Sequence, residues 1–278
     1  MKRKSTLILT LALVVALGVC AFAFTACGDN TTAKVSDEAE LKEALANEEI
    51  TEIKLIDDVS ITAVSDSTVD GGLVPSIVIT RDVTIDLNGK TMSVAYDVDA
   101  TYTNTILMFT VDGADVVING NDGTLTSEAG ENNSYGINII NGGSVTVNGG
   151  NYYGSLTAFQ VQKGTLTVND GFFDLAPICK EQVPQYAKYV INCIDAAFKD
   201  GTAKISVKGG TFVNFNPADC WAEGAHTNFV ADGYSVISEE QANGDVWYTV
   251  VKGTSAVVGT QEDLTETITE NTTATVKL

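Results

Sequence analysis

Few side chains in this sequence could do chemistry, and most of them are carboxylates. Asp57-Asp58, Asp97/Asp99 and Asp112/Asp115 are the paired acids. Acids on neighbouring segments can hold Ca²⁺ through hard oxygen ligands, and a strong base nearby can then take a proton from a sugar. None of the three pairs has the spacing of a calcium-binding loop. They are expected to be solvated carboxylates with weak calcium affinity at most, and no other cofactor is implied. After residue 3 the chain has a single arginine, Arg81, directly before Asp82, which suits a surface ion pair. The one histidine, His226, stands in Gly224-Ala225-His226-Thr227, with no catalytic partner expected within sequence reach. Cys179, Cys193 and Cys220 match no zinc spacing. They read either as thiols of which one pair is oxidised or as three buried small apolar residues. The glycine-rich stretches lack the Gly-Lys-Ser/Thr of a phosphate loop. No catalytic constellation emerges, and no metal site is expected in the chain.

The segments around these residues say where the chain works. Lys2, Arg3 and Lys4 precede an uncharged apolar run from Leu7 to Phe24, and Ala26-Cys27-Gly28 follows. That is the layout of a secretory signal. Phe24-Thr25-Ala26-Cys27 resembles a bacterial lipobox, with Phe24 where Leu is usual, so Cys27 is the expected lipidation site. Ordinary cleavage after a small residue and an uncleaved anchor helix are the alternatives. Each places the remainder outside the cytoplasm, and lipidation would make it extracellular and membrane-anchored. Setting aside residues 1–27 leaves 13 basic against 36 acidic residues, a net charge of about −23. Such a surface repels phosphate backbones, so nucleic acid is not an expected partner.

Beyond a short linker over 28–34, a repeat governs the chain. An apolar-Thr-apolar-polar run, a glycine turn and an aromatic recur in Val145 to Tyr152, Leu166 to Phe173 and Ile205 to Phe212. Val83 to Met92 and Val116 to Leu125 are copies with a corner two residues longer. Alternation of apolar and polar residues predicts strands with one buried face. Gly150, Gly171 and Gly210 fall at one register, where a corner needs positive φ. Tyr152, Phe173 and Phe212 then re-enter the core as a stack of rings. Asn148 and Asn169 are placed to form an amide ladder. Start-to-start spacings of 33, 29, 21 and 39 residues suit a solenoid with loop insertions better than a β-sandwich.

The ends of such a stack need covers. Asp37 with Glu40 marks a helix start, and Leu41, Ala44 and Leu45 form its apolar face. Tyr234 to Ile237 and Val246 to Val251 predict a closing hairpin around Asn243-Gly244. The longest insertions are 176–200 and 216–228, which could lie together on one side. Tyr186, Tyr189 and Trp221 in them are the candidate ligand patch for a glycan or a surface protein, although burial under the loops is the expectation for Trp221.

The Asp86-Leu87-Asn88-Gly89-Lys90-Thr91 segment, the Gly-Gly-Thr-Phe corners, the N-terminal helix and the Gly-Asp-Val-Trp-Tyr-Thr-Val ending together resemble pectin-lyase-like right-handed β-helix proteins. More narrowly, they are similar to bacterial surface lipoproteins of gut-type Firmicutes. The likeness spans Val35 to Lys252. It implies an all-β, single-stranded right-handed parallel β-helix over 35–252 with a short N-terminal capping helix. Many proteins of this fold are calcium-dependent polysaccharide lyases or glycoside hydrolases. The Gly-His-Gly and Arg-Ile-Lys segments of the hydrolases are absent here, and Arg81 is the only arginine to serve a lyase. The expected function is therefore non-catalytic display or adhesion, with the enzyme and a structural spacer as alternatives. Residues 253–278 are Thr-rich. At an offset of 223 they match the start of the domain, Val35…Leu41…Ile53-Lys54-Leu55 against Val258…Leu264…Val276-Lys277-Leu278, as a second module would if it began there. Chance similarity in a low-complexity tail is the alternative.

Overall fold

A computed structural model of the chain describes residues 31–64, 72–96, 105–127, 134–175, 189–253, 255–257 and 275–277. The signal-like segment with Cys27, the pair Asp97/Asp99, and Cys179 and Tyr186 lie outside the described residues. What is described is mostly β, with parallel sheets and two short helices. No helix among the described residues is long and apolar enough to cross a membrane.

Three rows of strands organise the described residues, and from Glu52 to Cys193 each pass of the backbone adds one strand to each row. The first row runs through Thr32–Val35, Glu52–Leu55, Val83–Asp86 and Asp115–Asn119, then the front halves of Gly143–Gly154 and Gly164–Leu175, then Ala203–Val207. Another contains Val59–Thr62, Thr91–Ala95 and Thr124–Thr126, then the rear halves of those two long strands, then Thr211–Val213. The third, a separate sheet, stacks Leu73–Ile79, Thr105–Asp112, Ser134–Ile140, Thr157–Val161 and Ile191–Cys193 in chain order, all parallel. Ile53, Ile85, Ile118, Val147 and Val168 turn inward from the first row, and Phe109, Ile137, Phe159 and Ile191 meet them from the third. The alternating apolar positions of the sequence make this core, because successive strand side chains point to opposite faces.

The five sequence repeats are hydrogen-bonded neighbours in their aligned register: Val83 pairs with Val116, Val116 with Val145, Val145 with Leu166 and Leu166 with Ile205. Gly150, Gly171 and Gly210 have φ of 94°, 138° and 94°. At these corners strand backbones also approach closely: a Cβ on Gly210 would lie 2.9 Å from the Gly171 carbonyl oxygen. In the two longer corners the turn is made by Asn88-Gly89 and Asn121-Asp122 instead, also at positive φ.

Immediately after the corner Tyr152, Phe173 and Phe212 are each fully buried. Their rings stack at 5.1 and 4.7 Å, with interplanar angles of 11°. The Tyr152 hydroxyl donates to the Gly149 carbonyl at 2.9 Å, and burial raises its pKa far above the ordinary range. On the outer side, Asn169 donates to Asn148 at 2.8 Å and Asn148 to Asn119 at 3.0 Å.

The N-terminal end is covered by the helix Glu38–Ala46. The Asp37 carboxylate accepts from the Glu40 amide at 2.9 Å, and the Glu40 carboxylate accepts from Ser36. Leu41 and Ala44 are its buried face. The helix has no basic residue in its last turn, and Arg81 supplies the missing cation from a later strand connection. Its guanidinium donates to the carbonyls of Ala44, Leu45 and Ile50 at 2.7, 2.8 and 2.5 Å. The surface ion pair expected for Arg81 is thus replaced by a helix C-cap. A fork of N–H donors satisfies several orphan carbonyls and opposes the helix dipole, which a pairing with Asp82 would not do. Asp82 instead accepts from the Asp115 amide at 2.8 Å.

At the other end, Tyr234–Glu240 and Val246–Lys252 form an antiparallel hairpin, and Val246–Lys252 also pairs antiparallel with Thr211–Val213. This reversal of direction ends the parallel stack. Farther on, Ser255–Val257 pairs in parallel with Thr275–Lys277. Ser255 pairs with Thr275 as Thr32 pairs with Glu52, each partner 223 positions later.

Phe173 has rings on both sides, so its removal leaves a cavity with little freedom to collapse. Phe173→Ala should cost about 3–5 kcal/mol in chemical denaturation, the usual range for a buried phenylalanine. A loss below about 1 kcal/mol would show that the stack is not part of the cooperative core.

Candidate functional site

Three of the candidate carboxylates, Asp58, Asp112 and Asp115, are hydrogen-bonded across neighbouring passes of the chain. Asp58 accepts from the Thr91 amide at 2.7 Å, and Asp57 from the Asp58 amide at 2.8 Å. Asp112 accepts from the Asn141 side chain at 2.7 Å, and Asp115 from the Ser144 hydroxyl at 2.6 Å. Among the described residues no group of three or more His, Cys, Asp or Glu is placed to hold a metal ion. The most enclosed of the ion-paired acids is Asp86, which meets Lys54 at 2.6 Å and accepts from Asn121 and the Asn88 amide at 2.7 and 2.8 Å. Burial alone would raise its pKa. The hydrogen bonds from Lys54, Asn121 and Asn88 outweigh that and hold it below the ordinary carboxylate value.

The loop 216–228 packs on the segment that follows Ile191–Cys193: Phe229 meets Phe198 edge-on at 5.7 Å, and Glu223 lies against Cys193 and Asp195. Cys193 and Cys220 are both free and buried. Burial pushes the Cys220 thiol up to about 11 and the Cys193 thiol higher still. A nucleophile must be a thiolate, so neither sulfur is armed. His226 does have a partner, contrary to expectation: its Nδ1 is 2.8 Å from Asp219 Oδ1. The bridge between Cys220 and Thr227 folds the loop back on itself and brings the two together. The pair is open to solvent and orients no nucleophile.

Trp221 is 55 % exposed, not buried under the loops. Cys220 and Ala222 on either side turn inward, so alternation sends the intervening indole outward. Tyr189 lines a small cavity of about 210 Å³ with Tyr135, Leu156, Thr157 and Asn192, and Trp221 is not one of its walls.

A larger hollow of about 490 Å³ lies where the closing hairpin meets the stack. Its walls are Phe172, Asp174, Val213, Trp247 and the hairpin turn from Gln241 to Asp245, apart from Gly244. Trp247 stands edge-on to Phe172 at 5.3 Å and is 38 % exposed, and Tyr153 continues the row at 6.3 Å from Phe172. The turn is held by its own bonds. Asp245 accepts from Asn214 at 2.6 Å and from Asn243 at 2.8 Å, and the Gln241 amide donates to the Asp245 carbonyl at 2.7 Å. Sequence reasoning missed this hollow, although a signal was present. In Tyr152-Tyr153 and Phe172-Phe173 one ring is core, so the other must face out.

Glu223 is the one carboxyl here with a large upward shift. Burial pushes it up to about 7, with Asp195 adding to the effect. A carboxyl whose folded pKa exceeds its unfolded value binds more protons when folded, so stability falls as pH rises. The contribution is complete below the ordinary value of 4.5 and is lost as pH passes through about 7. Glu223→Gln should flatten the decline in denaturation midpoint over that window. An unaltered decline in the variant would assign the effect to another group.

Residues 32–171, half of the chain, match the family model described as "Putative pectate lyase-like adhesive domain". No curated protein and no solved structure gives a significant match. The paired strands from Thr32 to Gly171 are therefore the folded form of that family's sequence pattern, and the chain belongs to the pectate lyase-like adhesive domain family.

Proposed function

We propose that this protein is a non-catalytic adhesive module displayed at the cell surface, where it binds a glycan or a surface protein. Its membership in an adhesive-domain family carries the reading. Two features of the chain support it. Asp58, Asp112 and Asp115, among the acids that could face calcium, accept hydrogen bonds across neighbouring passes, and the lone arginine after residue 3 caps a helix. The display scaffold we propose is a right-handed parallel β-helix over 35–252, with the three strand rows as its faces. Its pairing order, one strand added to each row per pass, is what such a coil requires.

The apolar run before Cys27 and the lipobox-like Phe24-Thr25-Ala26-Cys27 support lipidation at Cys27 as the anchor. The parallel pairing of Ser255–Val257 with Thr275–Lys277, at the register of the first two strands, supports a second module beginning in the tail.

Incubation with pectin, polygalacturonate and mucin glycans, with and without Ca²⁺, tests the central reading. The expected result is retention on an immobilised surface ligand with no unsaturated product and no new reducing ends. Calcium-dependent product absorbance would overturn it. For the anchor, Cys27→Ala should move the protein from the membrane fraction to the medium, and an unchanged membrane fraction would exclude lipidation at that residue.

A further inference from the structure

The hollow at the closing hairpin has a chemistry that the family description does not name, and all of its walls lie beyond the matched residues 32–171. The exposed ring of Trp247 and the half-buried ring of Phe172 line it together with Gln241, Asn243, Asp174 and Asp245. Aromatic faces stack on the C–H faces of a pyranose ring. Carboxamides beside them donate to or accept from the ring hydroxyls, and carboxylates accept from them. The volume of about 490 Å³ falls within the range of roughly 300–1,000 Å³ typical of small-ligand sites.

Charge narrows the ligand further. Among the described residues that line the hollow there are two carboxylates and no lysine or arginine, in a chain of net charge −20. A polyuronate or a sialylated chain would bring its own negative charge to this wall and be repelled. An uncharged sugar meets no such penalty.

The site is also set before any ligand arrives. Asn214 holds Asp245 and accepts from the Val246 amide at 2.8 Å, so the hairpin turn is tied to the end of Thr211–Val213. Asn243 is fixed in both directions, donating to the Asp245 carboxylate and accepting from the Asp245 amide at 3.1 Å. Asp174 accepts from the Leu175 amide at 2.7 Å and is almost buried. Rigid polar groups around an open aromatic wall lower the ordering cost of binding.

We infer that the hollow bounded by Phe172, Asp174, Gln241, Asn243, Asp245 and Trp247 is a binding site for neutral glycans. This rests on the adhesive reading and gives it a place and a ligand class.

The test measures binding of the purified protein to an array that contains neutral glucans, mannans and N-acetylhexosamine polymers beside polygalacturonate and sialylated glycans. Trp247→Ala removes the stacking face. Ala242→Arg fills the hollow from the hairpin turn without touching the aromatic packing, and Trp221→Ala serves as the control for an exposed indole elsewhere. The expected result is retention of neutral glycans, weakened at least tenfold by both hollow variants and unchanged by Trp221→Ala, with circular dichroism showing each variant folded. Full binding by both hollow variants would overturn the site while leaving the adhesive reading standing. Preference for the anionic glycans would overturn the ligand class. If no glycan is retained but a periodate-resistant, protease-sensitive cell surface is, the site proposal fails and the adhesive reading passes to a protein ligand.

Discussion

In a parallel in-register stack, each position meets its counterpart one strand away, about 4.8 Å above and below, and the rest of this structure follows from that contact. A residue must tolerate a neighbour at its own place in the next repeat. Rings satisfy this by stacking, as Tyr152, Phe173 and Phe212 do at centroid spacings close to the strand spacing itself. Carboxamides satisfy it by passing a hydrogen bond along the row, as Asn119, Asn148 and Asn169 do. Glycines satisfy it by letting corner backbones approach where a Cβ would collide.

Charges satisfy it least well, since like charges directly opposite repel. An acidic chain must therefore interrupt its acids. One row reads Lys54, Asp86, Asn119, Asn148, and another reads Asp115, Ser144, Thr165, Lys204. In these two runs Asp86 and Asp115 are each followed by a neutral hydrogen-bonding partner, while Asp82, one pass before Asp115, accepts from the Asp115 amide. This pattern turns those carboxylates to cohesion between strands. The ends obey a different rule. A parallel edge can be extended indefinitely, so the helix Glu38–Ala46 with Arg81 at its C-terminus closes one side, and an antiparallel hairpin closes the other.

The hairpin has a second consequence. Its turn from Gln241 to Asp245 projects beside the outward ring of Phe172, making a concave surface at the end of the stack.

Much of the fold could be read from the residues alone. The aligned repeats gave the strand register, glycine at a fixed place gave the corners, and Asp37 with Glu40 gave the helix start, because each depends on neighbours a few positions apart or on strict periodicity. The fate of isolated polar groups could not be read this way. Arg81 reaches carbonyls more than thirty positions away, His226 finds Asp219 through a loop that folds back, and Trp221 is turned out by its buried neighbours. The outward ring of Phe172 was implied by alternation, yet the hollow it helps to form was not. It needs Trp247, some seventy-five positions after Phe172, to be brought back antiparallel. Local pattern determined the strand stack and its core, because strand period and turn sterics act over a few residues. Only the tertiary structure decided the site, because its walls come from segments that meet when the stack is closed.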